Sequence, residues 1–144
     1  FSKLGTLAKT FQQQIAKLAE DSSLSEETIS HLLNRYGSLI EEIFQIIREN
    51  PKMAERISPN LPYLKAEILH AASHEGALSV EDVLLRRTRI SFEAGDSGAS
   101  IADAVAQIIA PVLKWSAADQ RESVAAFIEL ITKEELALRE VVNS

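Results

Sequence analysis

A chain of 144 residues with a formal charge of −6 and no cysteine is long enough for one domain with its own core, and it excludes disulfides and thiolate chemistry. The acidic balance opposes nucleic-acid binding and direct attraction to anionic lipid, both of which need a basic face. No apolar run approaches the roughly 20 residues of a membrane span and no signal segment opens the chain, so a cytoplasmic location without membrane insertion is expected.

Apolar residues recur at intervals of three and four throughout, glycines and prolines sit at junctions, and no strand-like alternation competes. The fold class is therefore all-α, a compact bundle of about six to seven helices in a single domain over residues 1–144. The first helix is expected near Lys3 to Glu20, burying Leu4, Leu7, Phe11, Ile15 and Leu18. Ser25 caps a second, with Ile29, Leu32, Leu33 and Tyr36 inward. Gly37 offers a C-cap, and Ser38 with Glu41 reads as a capping box for a third helix carrying Leu39, Ile43, Phe44 and Ile47. That helix stops before Pro51. After a short helical turn, Ser58 to Pro62 is extended, and Pro62 suits the first position of the next helix.

Gly76 ends that helix. Ser79 with Asp82 caps another through about Phe92. Residues 93–98 read as the most flexible linker. A helix from about Ser100 to Lys114 follows, with a kink expected at Pro111. Ser116 and Asp119 cap the last long helix, which turns Val124, Phe127, Ile128 and Ile131 inward. Thr132 with Glu135 resembles a further capping box, so a break is expected there. Trp115 reads as the plug of the local core rather than an interface anchor.

The segment Leu61 to Ile90 carries the most information, because it sets charges where helices should be apolar. On a wheel of 100° per residue, Glu75 falls in the stripe of Leu64, Ile68, Ala71 and Ala72, and Arg87 in that of Val80, Val83, Leu84 and Ile90. An unpaired buried ion costs several kcal/mol, so Glu75 and Arg87 are expected to pair across the seam between two facing helices. Asp82 with Arg86 and Arg89 with Glu93 form outer pairs at the favourable spacing of four. A fold-locking network is preferred here to an anion site or docking surface, since a buried pair needs no substrate.

Glu67, His70 and His74 fall within about 60° of one another on one helix and offer metal-ligand chemistry. The glutamate that follows the first histidine in a zinc protease is missing, and histidines four apart are common without metal. A solvated or domain-facing edge is the preferred reading, with no metal assigned. Glu26-Glu27, Glu41-Glu42 and Glu134-Glu135 lie near helix starts, where the macrodipole favours acids, and read as caps rather than catalytic pairs.

The order Pro62-Tyr63-Leu64, Ala66-Glu67, His74-Glu75, Glu81-Asp82-Val83-Leu84 and Arg86-Arg87-Thr88-Arg89 closely resembles the carboxy-terminal domain of FAD-dependent glycerol-3-phosphate dehydrogenases and the related glycerophosphate oxidases. Leu33-Asn34-Arg35-Tyr36-Gly37-Ser38 and Leu113-Lys114-Trp115-Ser116 extend the resemblance, which covers roughly Ser25 to Phe127. It implies a parent enzyme that oxidises glycerol 3-phosphate to dihydroxyacetone phosphate, passing electrons through FAD to quinone or, in the oxidases, to oxygen. That parent would sit peripherally on the cytoplasmic face of the membrane. The first residue, Phe1, is not a methionine, which suggests a piece excised from such a chain.

The glycines at 5, 37, 76, 95 and 98 cannot be arranged as Gly-x-Gly-x-x-Gly, so the FAD domain is expected upstream and no residue here is assigned as catalytic or cofactor-binding. The chain is expected to be inactive alone and to pack on that FAD domain, with a homo-oligomer contact as a further role. The residues assigned to the ion-pair network or domain interface are Tyr63, Glu67, His74, Glu75, Asp82, Arg86, Arg87 and Arg89. The alternative is a stand-alone helical protein–protein interaction module. A nucleic-acid-binding domain ranks behind both, because the arginines form one short basic cluster.

Overall fold

The computed structural model describes the backbone of residues 2–143 and the side chains of residues 9–142. Among the described residues there are seven α-helices and no named strand. The helices group into two compact units, Phe1–Ala54 and Glu55–Ser144.

In the first unit, α1 spans Ser2–Ser22, α2 Glu26–Tyr36 and α3 Ile40–Glu49. α2 starts as expected: the Ser25 hydroxyl oxygen accepts the Thr28 amide at 3.1 Å, satisfying one of the donors a helix start leaves open. It ends at Gly37, whose φ of 56° lies in the region glycine adopts without strain. Ile29, Leu32 and Tyr36 are buried on α2, and Ile40, Ile43, Phe44 and Ile46 on α3.

Three expectations change in this unit. Leu4 and Leu7 lie outside the described side chains; among the described residues of α1, Phe11 is 42% exposed, Leu18 half-buried and Ile15 buried. No capping box forms at Ser38. Instead Gly37–Leu39 makes a 3₁₀ turn that feeds directly into α3, and this rotation exposes Leu39 and brings Ile46 inward.

The second unit opens with a short antiparallel bridge between Arg56 and Leu64. Two flanking bonds hold it, from the Ile57 amide to the Tyr63 carbonyl (2.9 Å) and from the Lys65 amide to the Glu55 carbonyl (2.8 Å). The bridge keeps Tyr63 and Leu64 extended, so α4 begins at Lys65 and runs to Ser73, three residues later than Pro62 predicted.

Beyond Gly76, Ser79 caps as expected: its hydroxyl accepts the Asp82 amide at 3.0 Å, while the Asp82 carboxylate accepts the Leu78 amide at 2.9 Å. The single helix expected through Phe92 is broken. Asp82–Arg87 is a π-helical turn, closed by the Thr88 amide reaching back five residues to the Val83 carbonyl (3.0 Å), and a short α5 follows at Ile90–Glu93.

The loop after α5 is pinned by Asp96, whose carboxylate accepts the Gly98 amide (3.0 Å) and the Ser100 amide (2.8 Å). The hydroxyl and amide of Ser100, then the Gly98 amide, hold that carboxyl below its ordinary range. α6 spans Ala102–Leu113 and continues through the exposed Pro111. Lys114 turns the chain at φ 59°, and Ser116 and Asp119 exchange bonds of 2.9 and 3.1 Å to start α7, Ala117–Asn143. α7 has no break at Thr132. The threonine hydroxyl donates to the Ile128 carbonyl at 2.7 Å, a bond available only inside a helix.

α4, the π-turn, α5, α6 and α7 enclose a core of Ile68, Ala71, Val80, Val83, Leu84, Ile90, Val105, Ile109 and Phe127. Trp115 packs against its edge, as expected of a plug. Gly98 lies against this core with φ 94°, and an added Cβ would stand 3.5 Å from Leu84 Cδ1 and 3.7 Å from Phe127 Cζ. The space is adequate and the backbone is not, so Gly98→Ala is expected to destabilise the chain by about 1–3 kcal/mol in urea denaturation. Gly95→Ala, with a negative φ and nothing within 4 Å, is the matched control and should change little.

Candidate functional site

Glu67 lies at the third position of α4 and is fully buried. Its Oε2 accepts the backbone amide of Leu64 at 2.7 Å, closing the first turn from inside. Tyr63, immediately upstream, is 4% exposed and belongs to the core. Both residues are thus buried in the structure.

At the other end of α4 the two histidines come together. Their rings stack with centroids 4.7 Å apart and planes 6° from parallel, as the spacing of four on one helix face dictates. His70 is buried, and its Nδ1 lies 3.4 Å from Glu75 Oε1. His74 is exposed and caps the helix, with its Nδ1 2.6 Å from Ser73 Oγ. Glu67, which sequence spacing joined to these histidines, instead turns its carboxylate to the start of α4.

The Glu75–Arg87 pairing rested on both charges falling in apolar stripes, and the structure changes that premise. Glu75 lies past the end of α4, with its side chain 30% exposed and directed to His70. Arg87 is exposed. The wheel placed Arg87 seven residues after Val80 on an α-helical period, but the π-turn inserts an extra residue into the turn. The inward position consequently passes to Thr88, which is 3% exposed. Thr88 donates its hydroxyl to the Val83 carbonyl (2.8 Å), and its Oγ1 also accepts the Ile90 amide (3.3 Å). Sequence reading missed this residue. Its signal was a threonine amid three arginines, able to end one helix and cap the next.

The outer pairs form as predicted. Arg86 reaches Asp82 at 2.6 Å and Glu81 at 3.0 Å. Burial works to raise the Asp82 carboxyl, but the Leu78 amide and the Arg86 guanidinium together outweigh it and hold the group below its ordinary range. Asp82 and then Glu81 in turn hold the Arg86 guanidinium above its usual value. Arg89 meets Glu93 at 4.0 Å, with its guanidinium 5.8 Å from the centroid of the exposed Phe92 ring. The eight assigned residues thus separate into a buried pair (Tyr63 and Glu67), a histidine-end cluster (His74 and Glu75) and an arginine face (Asp82, Arg86, Arg87 and Arg89).

Among the described residues no glycine stands where a dinucleotide-binding site would use it. Such a site needs a strand, a glycine-rich turn and a helix N-terminus in succession. Here Gly37 ends a helix and Gly76 and Gly98 lie in turns between helices, all three at positive φ. No helix among the described residues is long and apolar enough to cross a membrane.

A family model described as the C-terminal domain of alpha-glycerophosphate oxidase matches residues 5–120. Glycerol-3-phosphate dehydrogenase 2 of Mycobacterium tuberculosis is 42% identical over 109 residues, which cover 76% of this chain and 19% of that protein. Glycerol-3-phosphate dehydrogenase of Mycobacterium leprae is 37% identical over 124 residues, covering 86% of this chain and 21% of that protein. A probable mitochondrial glycerol-3-phosphate dehydrogenase of Dictyostelium discoideum is 31% identical over 105 residues, 73% of this chain and 16% of that protein. The chain therefore matches only about one fifth of the length of these relatives. No solved structure matches it.

Proposed function

The chain belongs to the family of the C-terminal domain of alpha-glycerophosphate oxidase, and from that premise we propose that it is the non-catalytic helical domain of an FAD-dependent glycerol-3-phosphate dehydrogenase. The whole protein, on this reading, oxidises glycerol 3-phosphate to dihydroxyacetone phosphate and passes the electrons through FAD to quinone. Its peripheral position on the cytoplasmic face of a membrane belongs to the same proposal. The observation that carries the reading is a match confined to about one fifth of each relative, in a chain whose Gly37, Gly76 and Gly98 serve a helix end and turns.

The domain's task is to pack against the catalytic part. The arginine face suits that task because Arg87 at the end of the π-turn, Arg89 at the start of α5 and Phe92 within it are exposed, with the Arg89 guanidinium 5.8 Å from the Phe92 ring centroid. Arginine and aromatic side chains are the types that anchor interfaces. Arg86, already held by Glu81 and Asp82, shapes that face from within.

The test has two parts. The coding sequence upstream of Phe1 is expected to specify a strand, Gly-x-Gly-x-x-Gly and a helix; a start codon immediately before Phe1 overturns the parentage. In the longer polypeptide, Arg89→Glu is expected to lower dehydrogenase activity about tenfold, the effect of losing roughly 1.4 kcal/mol of docking. The melting temperature of the 144-residue chain should stay unchanged. Unaltered activity would remove the arginine face from the interface.

A second reading, a stand-alone module that engages a partner helix, draws on the far end of α7. There Leu138 and Val142 are exposed on the face that carries Val124 and Ile128. The same upstream sequence decides between the two.

A further inference from the structure

We infer that the groove between residues 78–81 and the start of α7 docks a separate polypeptide, taking from it a segment in which an arginine or lysine stands beside an apolar side chain. The inference does not rest on the reading above.

The groove has a volume of about 340 Å³, near the lower end of the roughly 300–1,000 Å³ that ligand sites occupy. Leu78, Trp115 and Ala126 form its apolar part, and Glu81, Asp119 and Glu122 its acidic part. Among the described residues no lysine or arginine lines it. The Val80 amide donates to Ser123 Oγ at 3.0 Å, which ties the two walls together across 43 residues of sequence. The Leu78 amide is held by the Asp82 carboxylate at 2.9 Å, and Ser116 and Asp119 cap α7 reciprocally. The recess therefore exists before anything binds, which spares an incoming segment the cost of ordering it.

Leu78 is 69% exposed although its backbone is pinned, so the fold presents this apolar side chain to solvent at a fixed place. Trp115, half-buried against the edge of the core, gives its remaining surface to the same groove. The charge selects the occupant. Asp119 and Glu122 are exposed carboxylates, and Glu81 is shared with Arg86 at 3.0 Å. An acid-rimmed apolar recess favours a guanidinium or ammonium whose methylene stem lies on the apolar part while its head meets the carboxylates. Tryptophan is the aromatic that attracts such a cation most strongly. The family match ends at residue 120, so Glu122, Ser123 and Ala126 lie beyond it. Most of the α7 wall is thus outside what the family shares, which favours a partner particular to this chain over a surface common to the family.

Trp115 is the only tryptophan of the 144-residue chain, so its emission reports on the groove directly. Titration with acetyl-Leu-Arg-Leu-amide is expected to change that emission saturably, with an affinity that falls as salt is raised. Acetyl-Leu-Glu-Leu-amide should give no saturable change. Glu122→Lys, at an exposed position, should weaken binding of the basic peptide at least tenfold at an unchanged melting temperature. Leu78→Ser should weaken it about fivefold, and Glu134→Lys, with the same change in net charge farther along α7, should bind as the unmodified chain does. No saturable response, or an equal response to the acidic peptide, overturns the site. Equal losses in Glu122→Lys and Glu134→Lys overturn local recognition in favour of the general attraction of an acidic chain. Arginine amide that binds as tightly as the tripeptide overturns the polypeptide occupant in favour of a small cation. In the longer polypeptide, a fluorescein-labelled copy of the basic peptide should bind equally well. Loss of binding there means that the chain covers its own groove, and overturns a separate partner.

Discussion

Phe127→Ala is expected to remove about 3–5 kcal/mol of stability, read as a fall in the urea midpoint at unchanged slope. Phe127 is fully buried, whereas Val124, Ile128 and Ile131 on the same helix are only partly covered. One ring thus provides the deepest anchor of α7 to the rest of its unit. Its Cζ lies near Gly98, so the void left by alanine would open beside a loop whose backbone is already committed to φ 94°. Such a site collapses poorly and retains most of its cavity cost. Phe127→Leu should lose less than half as much. A loss below about 1 kcal/mol for alanine would mean that α7 holds its place by other contacts.

The second large effect is expected at Glu67. Glu67→Ala should cost about 2–4 kcal/mol, because it empties a fully buried position and strips the acceptor from the Leu64 amide. Leu64 is 2% exposed, so its amide has no ready access to water as a substitute. Glu67→Gln keeps an acceptor oxygen of similar reach and should retain most of the stability. Thermal melting of the two variants side by side separates the contributions: equal losses would assign the effect to the carboxylate charge, not to the bond it accepts.

Much of this architecture was legible in the sequence because it is written in short-range chemistry. Ser25, Ser79 with Asp82, and Ser116 with Asp119 each cap the helix they were expected to cap, since a cap depends on a hydroxyl or carboxylate and an amide two to four residues apart. Arg86 with Asp82 followed from helical spacing for the same reason. The failures are equally physical. Thr132 and Glu135 carry a cap signature inside an uninterrupted helix, where the threonine bonds backwards instead. Pro62 was a sound first helical residue locally, but the pairing of Arg56 with Leu64 held the chain extended past it. Glu75 and Arg87 were placed by extending regular α-helical periods beyond a helix end in one case and through a π-turn in the other. Membership of the resembled family could be read from ordered motifs, whereas which of their side chains are buried could not.

The π-turn also alters how changes in chain length would propagate. A turn of this kind holds one residue more than the α-helical turn it replaces, so residues 82–87 contain slack that an ordinary helix lacks. Deleting one residue there would restore a regular helical period without shortening any neighbouring loop. It would also leave the downstream residues in phase, because the present Thr88 would then stand seven residues after Val80, an inward position on a regular helix. The segment is thus a phase adjuster between α4 and α6: its single surplus residue lets Arg87 face outward while Thr88 and Ile90 face the core.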